Sequence, residues 1–269
     1  MPLISSPPND PQWTNPDDVP RQIVAFGMAL KTEANVELDL HTHRKGQILM
    51  VLRGAFSCEI EGGLWIVPPL SAIWIPGGTL HSKKATGALL GYSIFVDPVV
   101  EEELPRDCCV ISVTPLLREL LIRAVQLPLF YEESPKNIGL VSLLLGELAT
   151  ARVEDLHLPM PRDLRLRKMV DAMITTPADR STLEVWAGRV GLSERNLERI
   201  ISRETGMSFS KWRRQLAVML AVKWMADGRS IQQVTTDLGY ESVPSFVTMF
   251  RKTLGTSPAR YMAERHFQG

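Results

Sequence analysis

Cysteine is scarce in this 269-residue chain: Cys58 and the adjacent pair Cys108 and Cys109 are all it has. Three thiols without a paired spacing make neither a disulfide framework nor a zinc-ligand pattern. They read as buried free thiols in a reducing compartment. No apolar run reaches 18 residues, which argues against a membrane-spanning helix. The opening stretch MPLISSPPNDPQW is polar and proline-rich and lacks the apolar centre of a secretory signal. It is expected to be a flexible arm over residues 1–20, and the protein to be cytoplasmic.

An excess of either charge is missing too, since 30 Lys and Arg balance 30 Asp and Glu. The balance hides an asymmetry. Residues 1–160 carry 12 basic and 19 acidic residues, a net of −7, while residues 161–269 carry 18 and 11, a net of +7. An acidic front half is a poor partner for phosphates, so any nucleic-acid footprint falls to the basic back half.

The back half contains one pattern twice. A short apolar-periodic helix is followed by a glycine turn, a second helix and an exit glycine. The turn is Gly191-Leu192-Ser193 in the first copy and Gly239-Tyr240-Glu241-Ser242 in the second, 48 residues later; the exits are Gly206 and Gly255. Two helix-turn-helix units, about 183–204 and 231–254, follow from this spacing. In the first, Leu183, Ala187 and Val190 share a stripe, and Leu197, Ile200 and Ile201 point inward on the second helix. Ser193 suits its N-cap. That leaves Arg195, Asn196 and Arg199 outward, residue types that read guanine and adenine edges. In the second unit Ile231, Val234, Leu238, Phe246 and Phe250 turn inward. Ser245, Thr248, Arg251 and Lys252 are then the DNA-side candidates.

With Leu183, Ala187, Gly191-Leu192-Ser193, Leu197, Gly206, Phe209, Ile231, Gly239-Tyr240, Phe246, Phe250, Gly255, Ser257-Pro258 and Tyr261 in this order, roughly the last hundred residues closely resemble the AraC/XylS family of transcriptional regulators. The resemblance implies an all-α DNA-binding domain over 162–269, double-stranded operator or promoter DNA as partner, and RNA polymerase as a second partner if the protein activates. Three positions depart from it. Ala217 and Leu220 stand where the linker helix commonly carries arginines, and Thr235 stands where a small alanine is usual.

The front half reads as short strands at 23–30, 36–40, 47–53, 55–61, 64–67, 71–75, 82–84 and 89–96, punctuated by glycine and proline. Close turns between many short strands suggest a small barrel or sandwich. Within it, His41-Thr42-His43 precedes Gln47 and Gly54, and Pro76-Gly77-Gly78-Thr79-Leu80-His81 follows. This resembles the two motifs of the cupin barrel, with Gln47 replacing the usual glutamate and Leu70 the glycine that opens the second motif. The resemblance implies a cupin-like effector-binding barrel over 21–113. Alternating strand residues share a face, so His41 and His43 can both face inward, with His81.

Three readings of that cluster stay open, one of them a purely structural role. Three imidazoles suit a divalent transition metal held by His41, His43 and His81. Alternatively, His41, His43, Gln47 and His81 receive a small-molecule effector without an ion. Trp65 and Trp74 are expected in the core or lining the pocket.

Beyond the barrel the apolar period changes to helical. Thr114 caps one helix and Ser134-Pro135 opens another, giving a dimerisation or packing segment over 114–153. Residues 154–161 are expected to be a linker. The fold class is therefore α+β multidomain: a cupin β-barrel with flanking helices, then a tandem helix-turn-helix domain. The function it implies is effector-controlled, sequence-specific transcription regulation by a homodimer, without catalysis. A metal-dependent cupin enzyme with an appended DNA-binding module is the alternative, and a constitutive DNA-binding protein is a third reading.

Overall fold

The computed structural model describes residues 3–4, 14–30, 35–60, 63–86, 88–100 and 103–264. Much of the expected N-terminal arm, residues 1–2 and 5–13, lies outside them. The chain forms two compact units. One is built on Met1–Glu61 and Ile66–Leu156, the other on Gly62–Trp65 and His157–Arg265.

The first unit holds strands β1 (Leu3–Ile4), β2 (Ile23–Leu30), β3 (Asn35–His41), β4 (Gly46–Arg53), β5 (Phe56–Ile60), the end of β6 (Gly63–Val67, whose first three residues belong to the second unit), β7 (Ser71–Ile75), β8 (His81–Thr86), β9 (Leu89–Val96), β10 (Cys109–Ser112) and β11 (Val153–Glu154). One sheet runs β1-β2-β9-β4-β7-β10-β11, and β3, β8, β5 and β6 belong to a second. The strand ladders thus form two sheets, and among the described residues they do not join into one closed ring. β4 and β7 are buried almost throughout. Strands covered on both sides read as continuous apolar runs, which is why ILMVL and SAIWI show no clean alternation.

Helices α1 (Pro115–Val125) and α2 (Pro135–Ala149) belong to this unit, capped by Thr114 and Ser134. Leu117, Leu120, Leu121, Val141, Leu144 and Leu148 share one apolar cluster with Ile48, Trp74 and Ile94 of the sheet. Each buried Leu or Ile of this kind contributes about 1.5–3 kcal/mol. Trp74 belongs to this core and donates its indole N–H to the Pro105 carbonyl at 2.7 Å.

The second unit contains β12 (His157–Pro159) and helices α3 (Leu164–Thr175), α4 (Leu183–Arg189), α5 (Glu194–Thr205), α6 (Phe209–Ala226), α7 (Ile231–Asp237), α8 (Val243–Leu254) and α9 (Pro258–Ala263). β12 pairs with Gly63–Trp65, and the His157 ring stacks on Trp65 with centroids 4.1 Å apart. The segment expected to be a polar linker thus includes strand residues, with Leu156 and Leu158 fully buried. α6 runs through the helical core. Trp212 on it is fully buried and donates to the Pro159 carbonyl at 2.7 Å.

Candidate nucleic-acid interface and effector site

Each helix-turn-helix unit is built by its caps. Ser193 and Ser242 accept from Asn196 N and Ser245 N, opening α5 and α8. Gly206 and Gly255 close them in the left-handed conformation, at φ 68° and 78°. In an L-residue that conformation crowds Cβ against the carbonyl, so glycine is favoured. Leu197, Ile200, Ile201, Phe246 and Phe250 face the core as expected. In α4 the anchor differs from the expected stripe. Trp186 is buried with Ala187, while Leu183 and Val190 are only half-buried. Trp186 stood next to the alanine in the sequence, but a lone aromatic gave no sign of which face it would take.

All seven expected DNA-side residues are exposed: Arg195, Asn196 and Arg199 on α5, and Ser245, Thr248, Arg251 and Lys252 on α8. Several other arginines of this unit are engaged by carboxylates. Arg165, Arg189, Arg229 and Arg260 are each paired with a carboxylate. No such pairing engages Arg195, Arg199, Arg251 or Lys252 among the described residues. Two outward rows of uncompensated cations on capped helices are what phosphate and base-edge recognition needs.

The three departures also find physical reasons. Ala217 and Leu220 are buried in α6, so they pack rather than project. Thr235 is buried too, and its hydroxyl donates to the Ile231 carbonyl at 2.7 Å, which satisfies the polar group that an alanine would lack.

In the first unit the histidines do meet. One ligand-type atom from each of His41, His43 and His81 lies within 4.8 Å of the others. His41 and His81 are cross-strand partners at the ends of β3 and β8. β3 stops at His41, so His43 reaches the cluster from the turn and not by pleat alternation. The His43 carbonyl accepts from Gly78 N at 2.8 Å, tying that turn to the one before β8.

Each imidazole is oriented through Nδ1. His41 bonds the Asp39 carbonyl at 2.7 Å, His43 that of Lys45, and His81 that of Thr79 at 2.9 Å. A carbonyl only accepts, so Nδ1 of His41 and of His81 carries the proton and their Nε2 presents a lone pair, whereas both ring nitrogens of His43 face oxygen acceptors and its one N–H serves the Lys45 carbonyl or Gln47 Oε1. His81 Nε2 is buried without a partner. Gln47 joins from β4: its amide nitrogen donates to Ser93 Oγ at 2.7 Å, which turns Oε1 toward His43 Nε2, 3.1 Å away.

Lys83 was not anticipated. It lies two residues after His81 on β8, hence on the same face, and its Nζ donates to Gln47 Oε1 at 2.6 Å. That contact fixes the oxygen of the Gln47 amide, since an ammonium cannot donate to an NH₂. The signal was present in the i, i+2 spacing of His81 and Lys83, but Lys83-Lys84 reads as solvated charge. Part of the Lys83 side chain reaches the surface, yet burial of its ammonium lowers its pKa to about 8. Burial, assisted by the Lys83 charge, pushes His81 down to about 3, and burial lowers His41 and His43 as well. All three imidazoles are therefore held neutral at pH 7.

Comparison with known proteins follows this division. A model of a helix-turn-helix domain matches residues 186–264. The HTH-type transcriptional regulator NimR of Escherichia coli K12 is 38% identical over 248 residues, covering 92% of this chain and 90% of its own. The chain belongs to the AraC/XylS family of transcriptional regulators. RipA of Corynebacterium glutamicum, also an HTH-type transcriptional regulator, is 33% identical over 117 residues, 44% of this chain and 35% of its own. Among solved structures, ToxT of Vibrio cholerae is similar over 92% of this chain and 100% of its own, with a TM-score of 0.39 and 11% identity. An AraC-type regulator from Chromobacterium violaceum matches 39% of this chain and 96% of its own, with a TM-score of 0.36 and 26% identity. DNA is thus the partner of this AraC-type regulator, and among the described residues no helix is long and apolar enough to cross a membrane.

Proposed function

We propose that this regulator reads its operator with Arg195, Asn196 and Arg199 of α5 and Ser245, Thr248, Arg251 and Lys252 of α8. The observation that carries the reading is that all seven are outward on two capped helices, with their four cations unpaired. Residues 162–269 act as the DNA-binding domain. The two helices enter successive major grooves roughly 34 Å apart, the length of one DNA turn. Phosphate contacts supply most of the affinity, and the guanidinium and amide groups of α5 supply most of the sequence choice.

Residues 21–113 form the effector domain, and a small molecule received at His41, His43, Gln47 and His81 controls the operator affinity. The protein works in the cytoplasm as a dimer through the 114–153 segment, where Leu116, Ile138 and Leu143 leave apolar surface exposed. It is not an enzyme: Gln47 stands where a base would be needed and has no acid–base chemistry near neutral pH. The test is selection of bound duplexes from a random DNA pool, followed by fluorescence anisotropy on the consensus. A shared sequence bound at nanomolar concentration, and lost with Arg199→Ala, is expected. Equal affinity for consensus and scrambled duplexes would reject the assignment.

A further inference from the structure

We infer that Lys83 takes the place of a divalent metal ion in the histidine cluster, and that this one ammonium keeps the site from holding such an ion. The inference rests on reading the cluster as the effector site and deepens it, since it decides what the site can take.

Three imidazoles and an amide oxygen converge there, a set of donor types that by itself suits a first-row transition ion, and the lone pairs of His41, His81 and Gln47 point into it. Lone pairs gathered in this way repel one another and need a cation between or beside them. The chain supplies one of its own, Lys83 Nζ, hydrogen-bonded at 2.6 Å to Gln47 Oε1. The oxygen that would complete a coordination shell is therefore already committed to a positive charge.

The charge count points the same way. Three neutral imidazoles with a carboxylate and a divalent ion sum to +1. Three neutral imidazoles with Gln47 and the Lys83 ammonium also sum to +1, without an ion. Adding a divalent ion to the present set gives +3, and no carboxylate hydrogen-bonds any of these side chains among the described residues. A like charge a few ångströms from a divalent ion, in a partly buried site, weakens binding by orders of magnitude. The glutamine and the lysine thus act as a matched pair. Each alone would unbalance the cluster: glutamine without lysine leaves the lone pairs uncompensated, and lysine beside glutamate would close the site as an ion pair.

A consequence for ligand class follows. The Nε2 atoms of His41 and His81 accept hydrogen bonds and favour a ligand that brings hydroxyl or amide N–H donors, with an acceptor or anionic group for the two Lys83 protons not used on Gln47. A bare metal ion offers neither.

The experiment is titration calorimetry of tag-free, full-length protein with Zn²⁺ and with Ni²⁺, alongside elemental mass spectrometry of the protein as purified. Wild type, Lys83→Met, Lys83→Gln and Lys83→Met/His81→Ala are compared, with circular dichroism and melting curves to show that each is folded. Wild type is expected to bind no stoichiometric ion at micromolar concentration. Lys83→Met is expected to bind one ion per chain at least roughly 100-fold more tightly, the scale expected for removing a close like charge. Lys83→Gln should follow it, and the added His81→Ala change should abolish the gain. One ion per chain in wild type, no tighter in Lys83→Met, overturns the inference. So does the absence of ion binding in every folded variant. Neither result touches the operator reading, which is measured on the α5 and α8 variants.

Discussion

Gly239 sits directly against Ala178: a Cβ built on the glycine would lie 2.3 Å from the Ala178 carbonyl oxygen, at a φ of +69°. Gly191 holds the equivalent turn in the first helix-turn-helix unit at φ +68°, but nothing lies within 4 Å of its Cβ direction. The two turn glycines, alike in the sequence, therefore do different jobs. Gly191→Ala pays only for the left-handed backbone, about 1–2 kcal/mol. Gly239→Ala adds a collision with backbone that cannot swing away, so it should cost clearly more, about 3 kcal/mol or above. Denaturant melts of the two variants, side by side, decide this. Equal losses would mean that the Ala178 carbonyl yields.

The unpaired cations of α5 and α8 should separate in how they matter. Arg199→Ala should weaken operator binding by about 1–3 kcal/mol if its guanidinium reads a base edge, and relax preference at one base pair. Lys252→Ala should weaken all duplexes alike and lower the salt dependence by about one counterion. Thr248→Ala should relax sequence preference only in the half of the site contacted by α8. Anisotropy across single-base operator variants, at two salt concentrations, gives all three readings. Uniform behaviour of the three variants would remove the distinction between positioning and reading.

How much of this was legible in the sequence depended on whether the signal was local. Caps, turn glycines and apolar periods are local, and Ser193, Ser242, Thr114, Gly206 and Gly255 all took the expected places. The outward faces followed, because fixing the inward residues of a helix fixes the rest. Trp186 escaped because packing against neighbouring helices chose its face. Lys83 escaped for a deeper reason. Lysine is exposed by default, and only the packing of the sheet that holds β8 against the sheet that holds β4 brings its ammonium onto Gln47, 36 residues earlier. The histidines were legible as a cluster, yet the route of His43, from a turn and not from a strand, was not.

Lys45 is the largest exception to that default, with its side chain 0% exposed. Its Nζ donates to the Val19 and Arg21 carbonyls at 2.8 and 2.6 Å and lies 3.4 Å from Asp97 Oδ2. The lysine thereby ties the stretch after Pro16 to the start of β4, and Asp17 reinforces the tie by accepting from Arg44 N and Lys45 N. Lys45→Met keeps the volume but strands the Arg21 carbonyl, leaves the Val19 carbonyl with Arg21 N alone, and leaves Asp97 only Arg44 as an ion partner. A loss of about 3 kcal/mol is expected. Hydrogen exchange should speed up at residues 17–23 well before β4 and β9 open. Exchange that stays slow there would show that other contacts hold the stretch.

The histidine cluster should make the first unit acid-sensitive, and the sign follows from the direction of the shift. His81, held by burial at a pKa of about 3, stays neutral in the folded chain until far below pH 6.5. In the unfolded chain the imidazole takes up its proton near 6.5. Below 6.5 the unfolded state therefore binds more protons, and stability, fully present above 6.5, drains away as the pH falls toward 3. The slope from His81 alone reaches about 1.4 kcal/mol per pH unit, so going from pH 7 to pH 5 should remove about 2 kcal/mol. His41 and His43 are shifted in the same direction and steepen the loss. His81→Asn removes the titrating group, and its urea stability should change less between those two pH values than that of wild type. If both proteins lose the same amount, the acid sensitivity comes from groups outside the cluster, and the cluster is not held neutral by its burial.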